Sequence, residues 1–177
     1  MELLETQIDS ELIFDGKFVT IHKDKVRLPN GNEGNRVVIK HPGAACVLAV
    51  CEDDSVVFVR QWRYALGKAL LEIPAGKLEI GEDPAVCALR ELAEETPYTA
   101  ERVELIRDFY TAPGFCNEKI YLYRAVGISK TSTLKPDQDE FVETVVLSRE
   151  QVKQAVMQGE IQDAKTLIAL QGWLLEA

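Results

Sequence analysis

Short apolar runs separated by turn-forming residues dominate the first hundred positions, and helix-period patterns appear only afterwards. Glu11-Leu12-Ile13-Phe14, a turn at Asp15-Gly16, and Phe18 to Leu28 with partial alternation predict two β-strands. The turn formers from Pro29 to Asn35 precede a third run, Arg36 to His41. These runs make a meander with few large apolar residues, marginal as an isolated sheet, so the pattern predicts that it packs on the rest of the chain or on a second copy. After His41-Pro42-Gly43 the apolar density rises. Ala44–Cys51 and Ser55–Trp62 predict two strands joined by a turn at Glu52–Ser55, and the run Leu70–Gly76 follows. A helix is expected over 83–95, strands near 101–110 and 119–127, a strand at 142–147, and then two helices. Ser148 and Gln151 form a capping box for the first of these, which Gly159 can end. Asp163 caps the second, whose apolar positions are Leu167, Ile168, Leu170, Leu174 and Leu175. Strands on either side of one central helix, then terminal helices, predict an α+β or α/β/α sandwich. The pattern alone does not choose between them.

The central helix carries the chemistry. Asp83 is a natural N-cap, and Pro84 suits the first helical position. At about 100° per residue, Ala85, Val86, Leu89, Leu92 and Ala93 fall on one stripe that is expected to face the core. Glu91, Glu94 and Glu95 lie opposite, with the small residues Cys87 and Ala88 beside them expected to leave room for a ligand. A solvated helix face is one reading of such a charge cluster. Two features oppose it: Glu91 and Glu95 form an i,i+4 like-charge pair, and they sit at the C-terminal end, where the helix dipole disfavours anions. A divalent cation removes both penalties.

Composition narrows the partners. The 177 residues are 46% apolar and 28% charged, with 20 Lys+Arg against 29 Asp+Glu and a formal net charge of −9. That is one substantial core and an acidic surface, a poor match for nucleic acid or anionic membrane, so neither is expected as a partner. No run approaches the length of about 18 apolar residues that a membrane span needs, and the N-terminus has no basic, apolar leader pattern. Cys46, Cys51, Cys87 and Cys116 show no metal-ligand spacing, which predicts reduced thiols and a cytoplasmic protein. His22 and His41, 19 residues apart, read as structural or binding residues and not as a catalytic dyad.

The stretch from Gly76 to Tyr98 resembles the Nudix box, G-x5-E-x7-R-E-U-x-E-E-x-G-U with U a bulky apolar residue. Gly76, Glu82, Arg90, Glu91, Leu92, Glu94, Glu95 and Tyr98 are all in register. The resemblance implies a Nudix-type α/β/α sandwich with a mixed sheet over 41–177, preceded by a small antiparallel meander over 1–40. It implies that Glu91 and Glu95, with Glu94 and the Ala75 carbonyl, bind Mg²⁺, with Mn²⁺ as the alternative and two or more ions per site. Arg90 would orient the glutamates, and Glu82 would brace the loop. One position departs: the box's last glycine is Pro97, which cannot adopt a positive φ and should end the helix near Glu95, placing the exit loop in question.

Outside the box the chain resembles the ADP-ribose pyrophosphatase branch in Arg60-Gln61-Trp62-Arg63-Tyr64, in Leu71–Glu79, in Pro113 fifteen residues past Tyr98, and in 161–173. The implied reaction is hydrolysis of the pyrophosphate of ADP-ribose or another ADP-sugar to AMP and ribose 5-phosphate. Arg36, Arg60 and Arg63 are candidates for phosphate and ribose contacts, as are Pro113, Gly114, Phe115 and Glu118 in the Thr111–Glu118 segment. Phe18, Trp62 and Phe115 are candidates for the adenine slot. A carboxylate that ligates cations is a poor proton acceptor, and the resemblance to the branch implies that the general base comes from an acidic loop before the last strand, here Lys135–Glu140. Glu140 is the first choice, Asp139 the second and Glu143, inside a strand, the third. The branch also implies a homodimer through the N-terminal strands. Alternatives are the same chemistry on GDP-mannose, NADH, a dinucleoside polyphosphate or an oxidised dNTP, or a non-catalytic nucleotide sensor.

Overall fold

The computed structural model describes residues 3–135 and 141–176. The chain divides into two compact units, one of residues 1–43 with 110–119 and one of residues 44–109 with 120–177.

In the first unit β1 (Thr6–Asp15), β2 (Thr20–Arg27) and β3 (Glu33–Lys40) form an antiparallel sheet in that order. The β1–β2 turn closes with Gly16 N–H donating to the Val19 carbonyl at 2.9 Å. β1 begins at Thr6, well before the expected Glu11, because its polar N-terminal half still pairs with β2. Segment 110–119 joins this unit through Ile39, whose N–H donates to Phe115 O (2.7 Å) and whose carbonyl accepts from Asn117 N–H (3.1 Å).

The second unit is built on a mixed sheet. Its strands among the described residues are β4 (Ala44–Val50), β5 (Val56–Arg63), β6 (Lys68–Glu72), β7 (Ala75–Lys77), β8 (Arg102–Tyr110), β9 (Lys119–Val126) and β10 (Val142–Leu147). The order is β10-β5-β4-β9-β8, with β6 added to β5 and β7 to β4. β4 runs parallel to β9 and antiparallel to β5. The run Leu70–Gly76 contributes to two strands with different partners, because Pro74 between them has no N–H for a ladder. Buried on both faces, β4 sorts its side chains by parity. Cys46 and Leu48 join Phe58 and Leu122 under α2 (Arg149–Met157) and α3 (Ala164–Leu174), where Val152, Leu170 and Trp173 complete a core. Ala45, Val47 and Ala49 face the other way, against Cys87, Ala88 and Leu92 of α1 (Pro84–Glu95). This is the expected α/β/α sandwich.

The helix ends follow local chemistry. Asp83 accepts from Ala85 N–H at 2.8 Å with Pro84 at the first position, and Ser148 and Gln151 make the reciprocal capping box. Asp163 accepts from Thr166 N–H at 3.0 Å. α1 stops at Glu95, and Thr96, before Pro97, is extended at φ −138° and ψ 161°. The stripe expected to face the core needs correction. Val86 is 57% exposed, whereas Cys87, Ala88, Glu91, Leu92, Ala93 and Glu95 are buried. Small side chains let α1 approach the alanine-lined sheet, so Cys87 and Ala88 fill that contact and leave no ligand space.

Candidate active site

The loop, strand and helix from Gly76 to Glu95 fold around one arginine. Arg90 donates through Nε to Glu82 Oε1 (2.9 Å), through Nη2 to Glu82 Oε2 (3.1 Å), and through Nη1 to both Glu91 Oε1 (2.8 Å) and Glu94 Oε2 (3.0 Å). Glu82 also accepts from Glu79 N–H at 2.9 Å, so the loop before α1 is tied to the helix it leads into. The Glu82 hydrogen bond above all, opposed by burial and reinforced by Glu91 and Glu94, raises the Arg90 pKa further. In return Arg90 holds the Glu82 carboxyl below the ordinary carboxylate range. One guanidinium therefore orders three carboxylates.

Glu91 and Glu95 are turned inward, at 6% and 5% exposure. Inward-facing carboxylates are expensive unless they meet compensating partners. Glu95 Oε2 accepts from the Ala75 N–H at 2.9 Å. Gly76 lies close against the Glu91 carboxylate: a Cβ there would overlap it, so any side chain at 76 would require Glu91 to move. The neighbouring thiol is inert. Burial first, and then the charges of Glu91 and Glu82, push Cys87 up to about 12, and its Sγ lies 3.7 Å from the Gly76 carbonyl oxygen.

These features fit a hard divalent cation: the donors are carboxylate oxygens, and the glycine cradle keeps one of them clear of its own backbone. Among the described residues no three His, Cys, Asp or Glu side chains converge into a ready-made cage.

The remaining sequence candidates make ion pairs and contacts of their own. Arg63 spends Nε and Nη2 on a forked pair with Glu72, both at 2.7 Å, and Glu72 also accepts from Lys165 Nζ. Burial alone would raise Glu72, but Arg63 and Lys165 outweigh it and bring its pKa to about 2. Arg60 pairs with Glu143 at 3.1 Å across the β5–β10 register. Beside that pair is a cavity of about 550 Å³ lined by residues that include Trp62 and Phe141, but by none of the α1 glutamates. Arg36 pairs with Glu5, and Pro113, Gly114, Phe115 and Glu118 lie in the first unit. There Glu118 pairs with His41 at 3.7 Å, and Phe18 meets the His41 ring edge-on at 5.9 Å. Phe18, Trp62 and Phe115 are 51%, 60% and 54% exposed. Glu140 and Asp139 lie outside the described residues. Sequence reasoning missed Glu72, Lys165 and Thr166 as individuals. Their segments carried the branch resemblance, but only the fold shows that they meet.

Family models match at two places: NUDIX domain over residues 40–170, and nucleoside diphosphate sugar hydrolase N-terminal domain over residues 5–39. The chain is 46% identical over 168 residues to the methanol dehydrogenase activator of Bacillus methanolicus, covering 94% of this chain and 91% of that one. It is 44% identical over 170 residues to the ADP-ribose pyrophosphatase of Bacillus subtilis (strain 168), covering 96% and 92%. A solved structure described as an ADP compounds hydrolase superposes with a TM-score of 0.84 over 99% of this chain and 97% of that one, at 18% identity, and so shares the fold. No helix among the described residues is long and apolar enough to cross a membrane.

Proposed function

The chain belongs to the Nudix family, and from that premise we propose that it hydrolyses the pyrophosphate of ADP-ribose and related ADP-sugars to AMP and ribose 5-phosphate, as a Mg²⁺-dependent cytoplasmic homodimer. The observation that carries the chemistry is the inward-turned carboxylate face of α1, ordered by Arg90 and cradled at Gly76. The substrate rests on the near-full-length likeness to the Bacillus subtilis relative. Nudix hydrolases generally use divalent metal ions. Glu91 and Glu95, with Glu94 and the Ala75 carbonyl, would hold two or more of them. When bound, they neutralise the pyrophosphate and activate water. Arg90 keeps the glutamates aimed. Glu143 faces Arg60, so the proton acceptor is assigned to Glu140, with Asp139 second. Glu140→Gln should lower kcat strongly and leave metal affinity unchanged. Normal turnover there with a dead Asp139→Asn moves the role to Asp139.

The deciding experiment is AMP release from ADP-ribose with and without EDTA, alongside GDP-mannose, NADH, a dinucleoside polyphosphate and an oxidised dNTP. Preference for a non-sugar nucleotide would overturn the substrate. That outcome has a specific motive, since the relative at 46% identity carries a different name from the one at 44%. The dimer is supported by β1, all ten of whose residues are exposed, Ile8, Leu12, Ile13 and Phe14 among them. Deletion of residues 1–38 should abolish dimerisation and activity together, and a monomer by sedimentation of the intact chain would refute the assignment.

A further inference from the structure

Residues 72–75 cross from β6 to β7, and each of them is tied to another part of the second unit. Glu72, 1% exposed, receives the Arg63 fork and the Lys165 ammonium. The Ile73 N–H donates to Thr166 Oγ1 at 2.9 Å in a fully buried contact. The Pro74 carbonyl accepts from Val47 N–H at 3.0 Å. The Ala75 N–H donates to Glu95 Oε2 at 2.9 Å. Two of these four ties come from the first turn of α3, and that turn is itself fastened. Asp163 caps it through Thr166 N–H, accepts from Thr166 Oγ1 at 2.6 Å, and pairs with Lys165 Nζ at 3.1 Å.

Lys165 is 8% exposed and Thr166 is wholly buried. Neither is needed for the helix: a cap at Asp163 and apolar positions behind it suffice. A buried ammonium is costly unless it meets fixed anions, and here it meets two, Glu72 and Asp163. The Thr166 hydroxyl donates to Asp163 while accepting from Ile73, so its one proton and one lone pair are both committed. This is a rigid bracket. Its output is the position of the Ala75 amide, which is the group that grips Glu95.

We propose that Lys165 and Thr166 are positioning residues for the hydrolytic site, setting through residues 72–75 where the Glu95 carboxylate and the Ala75 backbone stand. The proposal rests on the reading of Glu95 and Ala75 as metal ligands given above, and it adds a part of the chain, the start of the last helix, that touches no ligand itself. Partners that touch a metal ligand directly typically cost about 10- to 100-fold in metal affinity or activity when removed, and Lys165 and Thr166, which act through residues 72–75, are expected at the lower end of that range.

The test uses the full chain and Mn²⁺ as probe, with binding read by electron paramagnetic resonance and turnover read separately on ADP-ribose. Lys165→Met and Thr166→Val should each weaken Mn²⁺ binding and lower kcat by about tenfold, with KM for ADP-ribose within about threefold. Lys165→Arg, which keeps the cation, should restore most of both. Val152→Ala, a buried apolar change in α2 within the same core cluster as Ile73, removes no polar tie to residues 72–75 and serves as the stability control: it should lower the melting temperature and leave Mn²⁺ binding and kcat alone. If the Lys165 and Thr166 variants behave like that control, the two residues only stabilise the fold and the proposal fails. If Lys165→Met does not fold, Thr166→Val decides by the same readout. If the wild type binds Mn²⁺ but does not cleave ADP-ribose, the substrate reading fails, while loss of Mn²⁺ binding in the variants still supports the bracket.

Discussion

β1 and β4 are both good strand sequences, yet every one of the ten residues of β1 is exposed and six of the seven of β4 are buried. β4 lies inside its sheet, between β5 and β9, with a core on each face. β1 is an edge strand with Ile8, Leu12, Ile13 and Phe14 open to solvent. The contrast separates two sources of order. The second unit carries its own core and holds its site rigidly, whereas the first presents apolar surface that a second copy would cover.

Substitutions can break or sharpen that contrast. The largest effect should come from the site held by the core: Glu91→Gln or Glu95→Gln should cost orders of magnitude in kcat with little change in melting temperature, and near wild-type turnover in either would remove it from the ligand set. Next in size is Phe58→Ala, which empties a wholly buried position and should cost about 3–5 kcal/mol by denaturant titration. Leu12→Ala, at 52% exposure, should change intrinsic stability by no more than about 0.5 kcal/mol and show itself as a weaker dimer in sedimentation. Equal losses from both would erase the distinction.

A smaller effect is expected in acid. The Glu72 carboxyl, held at about 2 instead of its ordinary 4.5, adds stability above pH 4.5 that is lost as pH falls through about 2. Melting temperatures followed across that window should decline less steeply in Glu72→Gln than in the wild type, although the variant starts lower at neutral pH. An unchanged slope would mean that the acid limb belongs to other carboxylates. Smallest of all is Pro97→Gly. The helix already ends at Glu95 with Thr96 extended, and Thr96 Oγ1 accepts from Tyr98 N–H at 3.1 Å, so the exit loop has its own support. Turnover should stay within a few fold, and a large gain would show that proline had distorted the site.

Much of this was legible in the sequence because it is local. Asp83, Ser148 with Gln151, and Asp163 announce helix starts through hydrogen bonds that reach only two or three residues, and Pro97 announces an end. The spacing of Gly76, Glu82, Arg90, Glu91, Glu94 and Glu95 likewise reports one loop and one helix. What was missed depends on contacts between distant segments. Val86 reads as core by hydrophobicity, yet the sheet opposite offers Ala45, Val47 and Ala49, and close approach selects Ala88 and Cys87 instead. Arg63 reads as a candidate for phosphate, and only the fold shows that Glu72 on the neighbouring strand takes a forked pair from it. Lys165 reads as a polar interruption in an apolar helix, and nothing nearby in sequence says that it meets a carboxylate 93 positions away.

The parallel pairing of β4 with β9 also has a consequence for how the chain is made. Ala44 lies opposite Ile120, so the second edge of the innermost strand is paired only after some seventy further residues have been synthesised. One of its faces is not roofed until Leu170 and Trp173 arrive. Long-range parallel pairing of this kind raises contact order and slows the search for the native arrangement. On the ribosome, the face that Cys46 and Leu48 present therefore lacks its cover until the last helices emerge, a window in which a chaperone has apolar surface to bind.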